Sequence, residues 1–120
     1  MQGLDSGDLS IQVSEQPSAL VCAWTGKSND RNPQAALGPW FDGLLAAAAA
    51  KGASVTMHFD KLDHFNSSTI TALIRLIQGA RGKGVKLTFV YDQNLKWQRL
   101  SFDALRVFEK ADRAFELVTA

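Results

Sequence analysis

Val55-Thr56-Met57-His58-Phe59, a polar turn, and then Asn66-Ser67-Ser68-Thr69-Ile70-Thr71-Ala72-Leu73-Ile74 is where the chain declares its architecture. In the first piece Val55, Met57 and Phe59 alternate with Thr56 and His58, the period of a half-buried strand. After Asn66 the period becomes 3.6: Ile70, Leu73, Ile74 and Ile77 form one stripe, while Thr71, Arg75 and Gln78 point elsewhere. Asn66 is the natural N-cap of this helix. A strand delivered through a short loop to a capped helix is half of an α/β unit. At the junction two or three hydroxyls crowd a helix N-terminus, whose first N–H groups are unpaired and whose macrodipole favours negative charge.

Downstream, Gly79, Gly82 and Gly84 erode and end the helix, and Val85 to Tyr91 reads as a strand with Val85, Leu87, Phe89 and Tyr91 on one face. Trp97, Leu100, Ala104, Leu105 and Phe108 mark a third helix, bent near Ser101, and Phe115 to Val118 a last short strand. Upstream, Leu9 to Val13 and Leu20 to Thr25 read as paired strands separated by Glu15-Gln16-Pro17-Ser18, and Gly26 to Pro33 as a loop. Pro39 suits a helix N1 position, so a first helix is expected from Pro39 to Ala50, where Lys51-Gly52 stops it. The order β-β-α-β-α-β-α-β predicts an α/β fold with a mixed, largely parallel sheet of four to five strands and helices packed against it. Right-handed crossovers then put the Asn66 turn at the carboxyl end of a strand, the edge where such folds usually meet ligands and partners.

Composition bounds the alternatives. With 120 residues, 46% hydrophobic and 21% charged, the chain reads as one domain, residues 1–120, with a sizeable core. Thirteen basic residues against twelve acidic leave +1, so no global field draws it to nucleic acid or an anionic membrane, and no run of apolar residues is long enough to span one. Cys22 is the only cysteine and lies in an apolar run, which excludes an intrachain disulfide and fits a reducing, cytoplasmic setting. From Thr71 onward nine Lys/Arg face five acids, a mildly basic half that could greet an acidic partner.

Other constellations are poorer. His58, Asp60, Asp63 and His64 are ligand types without an accepted metal spacing, and Gly26-Lys27-Ser28 lacks the earlier glycine of a phosphate-binding loop. Trp24, Trp40 and Trp97 fall on apolar stripes and read as core, although Trp97 shares its helix with Lys96, Arg99 and Arg106, a combination that also suits a partner-binding face. No Ser/His/Asp or Cys/His pairing and no pair of carboxylates stands out, so neither catalysis nor a cofactor is expected.

Strand, Leu62-Asp63-His64-Phe65, Asn66-Ser67-Ser68-Thr69-Ile70, helix, and then Gly82-Lys83-Gly84-Val85-Lys86-Leu87 resembles the STAS domains of anti-sigma factor antagonists, whose signature here is Asp-Ser-Ser/Thr-Gly-Leu. Asn66, Ile70 and the later Tyr91-Asp92 are more similar to the SiaC-like branch of regulatory phosphoproteins, which carries Asn-Thr-Ser-Ser-Ile and a Tyr-Asp after the strand. The resemblance spans Val55 to Val118, and the chain departs from the antagonist signature in having Thr69 for glycine and Asn66 for the acid. It implies a partner-switching protein with its phosphorylated hydroxyl directly after Asn66, on Ser67, with Ser68 and Thr69 as second choices. It further implies a serine/threonine kinase of ATPase fold, a PP2C-type phosphatase, and an effector, an anti-sigma factor or a diguanylate cyclase, bound by the unmodified form. Asn66, Ser67, Ser68, Thr69, His64 and Arg75 are the expected partner-binding residues, on a monomer or weak dimer. A non-switching scaffold or small-ligand-binding domain, in which the tetrad merely caps a helix, is the other reading.

Overall fold

Ten consecutive residues of one strand organise the sheet. In the computed structural model, which describes residues 1–120, a short strand β1 (Leu4–Ser6) and β2 (Leu9–Gln16) lead by a tight turn into β3 (Ala19–Ser28), each antiparallel to the one before. β3 then takes two partners on its other side. Its first half pairs in parallel with β4 (Ser54–His58) and its last residues pair in parallel with β5 (Leu62–Phe65). β6 (Leu87–Tyr91) and β7 (Phe115–Thr119) follow in parallel beyond β4, giving the order β1-β2-β3-β4-β6-β7 with β5 beside β3. The sheet is mixed and largely parallel as expected, but it has seven strands rather than four to five.

Helices fill the crossovers: α1 (Gln34–Lys51), α2 (Ser67–Gly82), and α3 (Lys96–Asp103), which tightens into a 3-10 turn over Ala104–Phe108. Only one sheet face is fully covered. Leu20, Cys22, Trp24, Val55, Met57, Leu87, Phe89 and Phe115 are buried under the helices, whereas their alternates Ala23, Thr25 and Val118 are exposed and Thr56, His58 and Thr88 half-buried. A parallel sheet with successive right-handed crossovers stepping in one direction collects its helices on one side, which is the two-layer arrangement seen here. Phe59 knits the layers, with ring centroids 5.0 Å from both Phe89 and Phe102 and 4.8 Å from Trp24.

Several boundaries differ from expectation for local reasons. α1 starts at Gln34, not Pro39, so Pro39 lies inside the helix. A proline disfavours helical geometry in the residue before it partly through that residue's Cβ; Gly38 has none. The space is used: a Cβ there would sit 2.5 Å from Gln34 Nε2. β3 runs three residues past Thr25 into the segment expected as a loop, helped by a bulge after Gly26, whose φ is +82°. Leu62 to Phe65, also expected as loop, is β5. α2 holds through Gly82, and Gly79 is part of its packing, since a Cβ there would stand 3.2 Å from Leu45 Cδ1 of α1.

Candidate functional site at the start of α2

β5 continues its ladder with β3 one step past its end: Phe65 pairs with Ser28, and the Asn66 N–H donates to the Ser28 carbonyl at 3.0 Å. The backbone of Asn66 is extended, with φ −92° and ψ 173°, and α2 begins at the next residue. Its side chain does two jobs. Oδ1 accepts from the Thr69 N–H at 2.9 Å and from the Thr69 hydroxyl at 2.8 Å, while Nδ2 donates to the Asp30 carbonyl at 2.6 Å. Only this orientation of the carboxamide satisfies all three bonds.

Thr69 is buried at 0% exposure and Ser28 at 3%, their hydroxyl oxygens 2.7 Å apart. A hydroxyl has one proton, so with Thr69 donating to Asn66 the Ser28 hydroxyl donates to Thr69, and the Ser28 carbonyl 3.3 Å from Thr69 Oγ1 is the poorer alternative. This chain of bonds joins the end of β3, the cap and the first turn of α2. It corrects one expectation: Thr69, a second-choice phosphate acceptor and partner contact, is a buried structural hydroxyl with no room for a phosphate.

Ser67 and Ser68 are exposed. Their N–H groups belong to the first turn, which has no intrahelical acceptors, and that turn carries no acidic residue to offset the positive end of the dipole. Arg75, also exposed, lines a groove of about 250 Å³ with Ser68 and Thr71 of α2 and with Arg31, Pro33 and Gln34 of the β3–α1 segment. His64 is exposed but sits by α3, its ring 6.1 Å from that of Trp97, which stands edge-on to Phe65 at 5.2 Å. The structure thus gathers Asn66, Ser67 and Ser68 at the start of α2, sets Arg75 about two turns further along the same helix, and leaves His64 on the preceding strand against Trp97 of α3.

Asp30 and Arg31 were not singled out in the sequence, and Ser28 appeared there only within the discounted Gly26-Lys27-Ser28 triplet. They come from a polar stretch whose only signal is composition, and they reach the site because β3 and β5 run side by side. Gln98 is a further silent contributor: fully buried, it donates from Nε2 to the carbonyls of Phe59 at 2.7 Å and Leu62 at 3.2 Å and accepts from the Asp92 N–H at 2.8 Å. It thereby fixes the turn between β4 and β5 that delivers the chain to Asn66. The ligand-type residues do not converge: His58 Nδ1 lies 3.4 Å from Asp60, and no group of three such side chains comes together.

Set against solved structures, the whole chain superposes on a chain from the crystal structure of the diguanylate cyclase SiaD in complex with its activator SiaC from Pseudomonas aeruginosa, covering all of both chains at TM-score 0.66 and 18% identity. The fold is that of the STAS-type, SpoIIAA-like proteins. An anti-sigma factor antagonist from Mycobacterium paratuberculosis matches over 92% of this chain and 95% of its own at TM-score 0.56 and 13% identity. A DUF3478-family protein with a SpoIIAA-like fold from Shewanella loihica matches over 98% and 91% at TM-score 0.56 and 16% identity. No protein-family model and no curated protein sequence matches the chain. The STAS-like fold accounts for the sheet order and for the capped helix at the carboxyl edge of β5. No helix is long and apolar enough to cross a membrane.

Proposed function

We propose that this chain is a cytoplasmic partner-switching protein without catalysis of its own, controlled by phosphorylation of Ser67. A serine/threonine kinase of ATPase fold adds the phosphate, a PP2C-type phosphatase removes it, and the unmodified form binds the effector, an anti-sigma factor or a diguanylate cyclase. The observation that carries the reading is the contrast between neighbours: the Thr69 hydroxyl is locked in place while Ser67, two residues earlier, is exposed on the same helix start. The rigid base holds the helix end still, so a phosphate of about −1.5 to −2 charge changes what can approach without changing the fold. The SiaC and antagonist neighbours support the same reading, because one is an activator and the other an antagonist of a partner protein.

Phosphosite mapping by mass spectrometry on protein made in its own cell tests the modification, and Ser67→Ala and Ser67→Glu test the switch. Phosphate on Ser67, with the alanine form retaining the effector and the glutamate form losing it, is the expected outcome. Absence of phosphate from Ser67, or two variants that behave like the parent, refutes it.

A further inference from the structure

The groove between the β3–α1 segment and α2 is open and polar. Arg31 and Arg75 stand on its two banks, both exposed, and neither has a carboxylate within 4.0 Å, whereas Arg81 pairs with Asp112 and Arg106 with Asp103 and Glu109. Between them lie the hydroxyls of Ser68 and Thr71. The bond from Asn66 Nδ2 to the Asp30 carbonyl, one residue before Arg31, ties the backbone of one bank to the start of α2, so the two segments that carry the arginines are joined in advance of any ligand.

We infer that this groove is the docking site for a carboxylate-bearing segment of the effector, with Arg31 and Arg75 as the two cations that receive it. The inference rests on the partner-switching reading and supplies its missing chemistry. Guanidinium groups suit carboxylates because their planar donors match two oxygens at once. A nucleic acid is a poorer occupant: the net charge is only +1, two cations track no backbone, and no aromatic side chain lines the groove for a base to stack on. Ser68 lines the groove and Ser67 directly precedes it, so a phosphate on either adds negative charge at the groove's end, where it repels an incoming acid. Exclusion of the effector by phosphorylation follows without a conformational change.

The test uses the unmodified full chain, labelled with nitrogen-15, and a synthetic peptide of alternating glutamate and glycine, with a lysine–glycine peptide and a short oligothymidylate as controls. Amide shifts induced by the glutamate peptide should cluster at Arg31, Gln34, Ser68, Thr71 and Arg75. Binding should weaken about fivefold or more in the Arg31→Ala/Arg75→Ala double variant, and again at about 0.5 M salt, as expected for exposed charge pairs. Phosphoserine installed at position 68, within the groove, should abolish the cluster, and at position 67, the proposed switch, should weaken binding. Shifts outside the groove, binding unaltered in the double variant, or oligothymidylate held there as tightly as the acidic peptide would each overturn the inference. Because the peptide arm needs neither kinase nor effector, its failure leaves the Ser67 switch standing, while an unphosphorylated Ser67 in cells removes the switch and leaves the groove.

Discussion

Replacing Thr69 by valine removes one oxygen and keeps the shape, so it isolates the buried hydroxyl chain. In the parent, Ser28 donates to Thr69 across 2.7 Å and Thr69 donates to Asn66 across 2.8 Å, all inside a region where Ser28 is 3% and Thr69 0% exposed. With valine the Ser28 hydroxyl is left buried without its acceptor, a loss of about 1–3 kcal/mol. Asn66 still caps the Thr69 N–H, so the helix itself persists. Taking about 2 kcal/mol, and about 4 °C per kcal/mol for a domain of this size, Tm should fall by about 8 °C. Ser28→Ala should cost less, about 1 kcal/mol, because Thr69 keeps Asn66 as its acceptor. In the double variant both hydroxyls are gone, no polar group is stranded between them, and a coupling of about 1 kcal/mol should be recovered. Urea unfolding of the four proteins measures the cycle. A Thr69→Val change within about 0.5 kcal/mol of the parent, or strict additivity with Ser28→Ala, refutes the hydroxyl chain as a stabilising element.

Burial pushes the Cys22 thiol up to about 12, so the folded protein should resist a thiol reagent at pH 8 and react fully once unfolded; fast labelling of the native state contradicts this. The Glu15 carboxylate, bonded to Lys51 and to the N-terminal amine, is lowered from 4.5 to about 2. Its folded pKa is depressed, so the contribution is present above pH 4.5 and lost as pH falls toward about 2. Acid titration of Glu15→Gln should therefore show a smaller loss of stability across that window than the parent, with the difference shrinking in high salt. Gly26 combines φ +82° with a position where a Cβ would meet the Asp8 carbonyl oxygen at 2.0 Å, so Gly26→Ala should destabilise by about 3 kcal/mol or more by thermal melting; a change below about 1 kcal/mol contradicts the bulge geometry.

α2 and β6 were legible because one period runs through each. Of the expected α2 stripe Leu73 and Ile77 are buried and Ile70 and Ile74 half-buried, the buried face being turned slightly to take in Leu76 and Ala80. Leu87, Phe89 and Tyr91 are buried on one face of β6, with Val90 buried as well. β5 escaped because its four residues run buried, exposed, exposed, buried, and neither period describes that. β1 is three residues long, too short to show a period at all. The start of α1 was misplaced because proline is a breaker on average, and its tolerance here depends on the glycine before it and on where Gln34 packs. Asn66 as the cap could be read from residue type and position. The partners of that cap could not, since Ser28 is 41 residues from Thr69 and Asp30 is 36 from Asn66, and the register that joins them is set by parallel pairing of β3 with β5.

The carboxamide of Asn66 makes the rim of the site a fastened one. An aspartate at this position, the residue of the antagonist signature, keeps the one oxygen that accepts both Thr69 bonds but turns its second oxygen toward the Asp30 carbonyl, where the present chain offers a donor. Two electronegative atoms then face each other and the tie between the cap and Asp30 is lost. With asparagine the rim is pinned and with aspartate that tie is gone, so an Asn66→Asp variant of this chain would present the Ser67 hydroxyl from a yielding frame where the parent presents it from a rigid one.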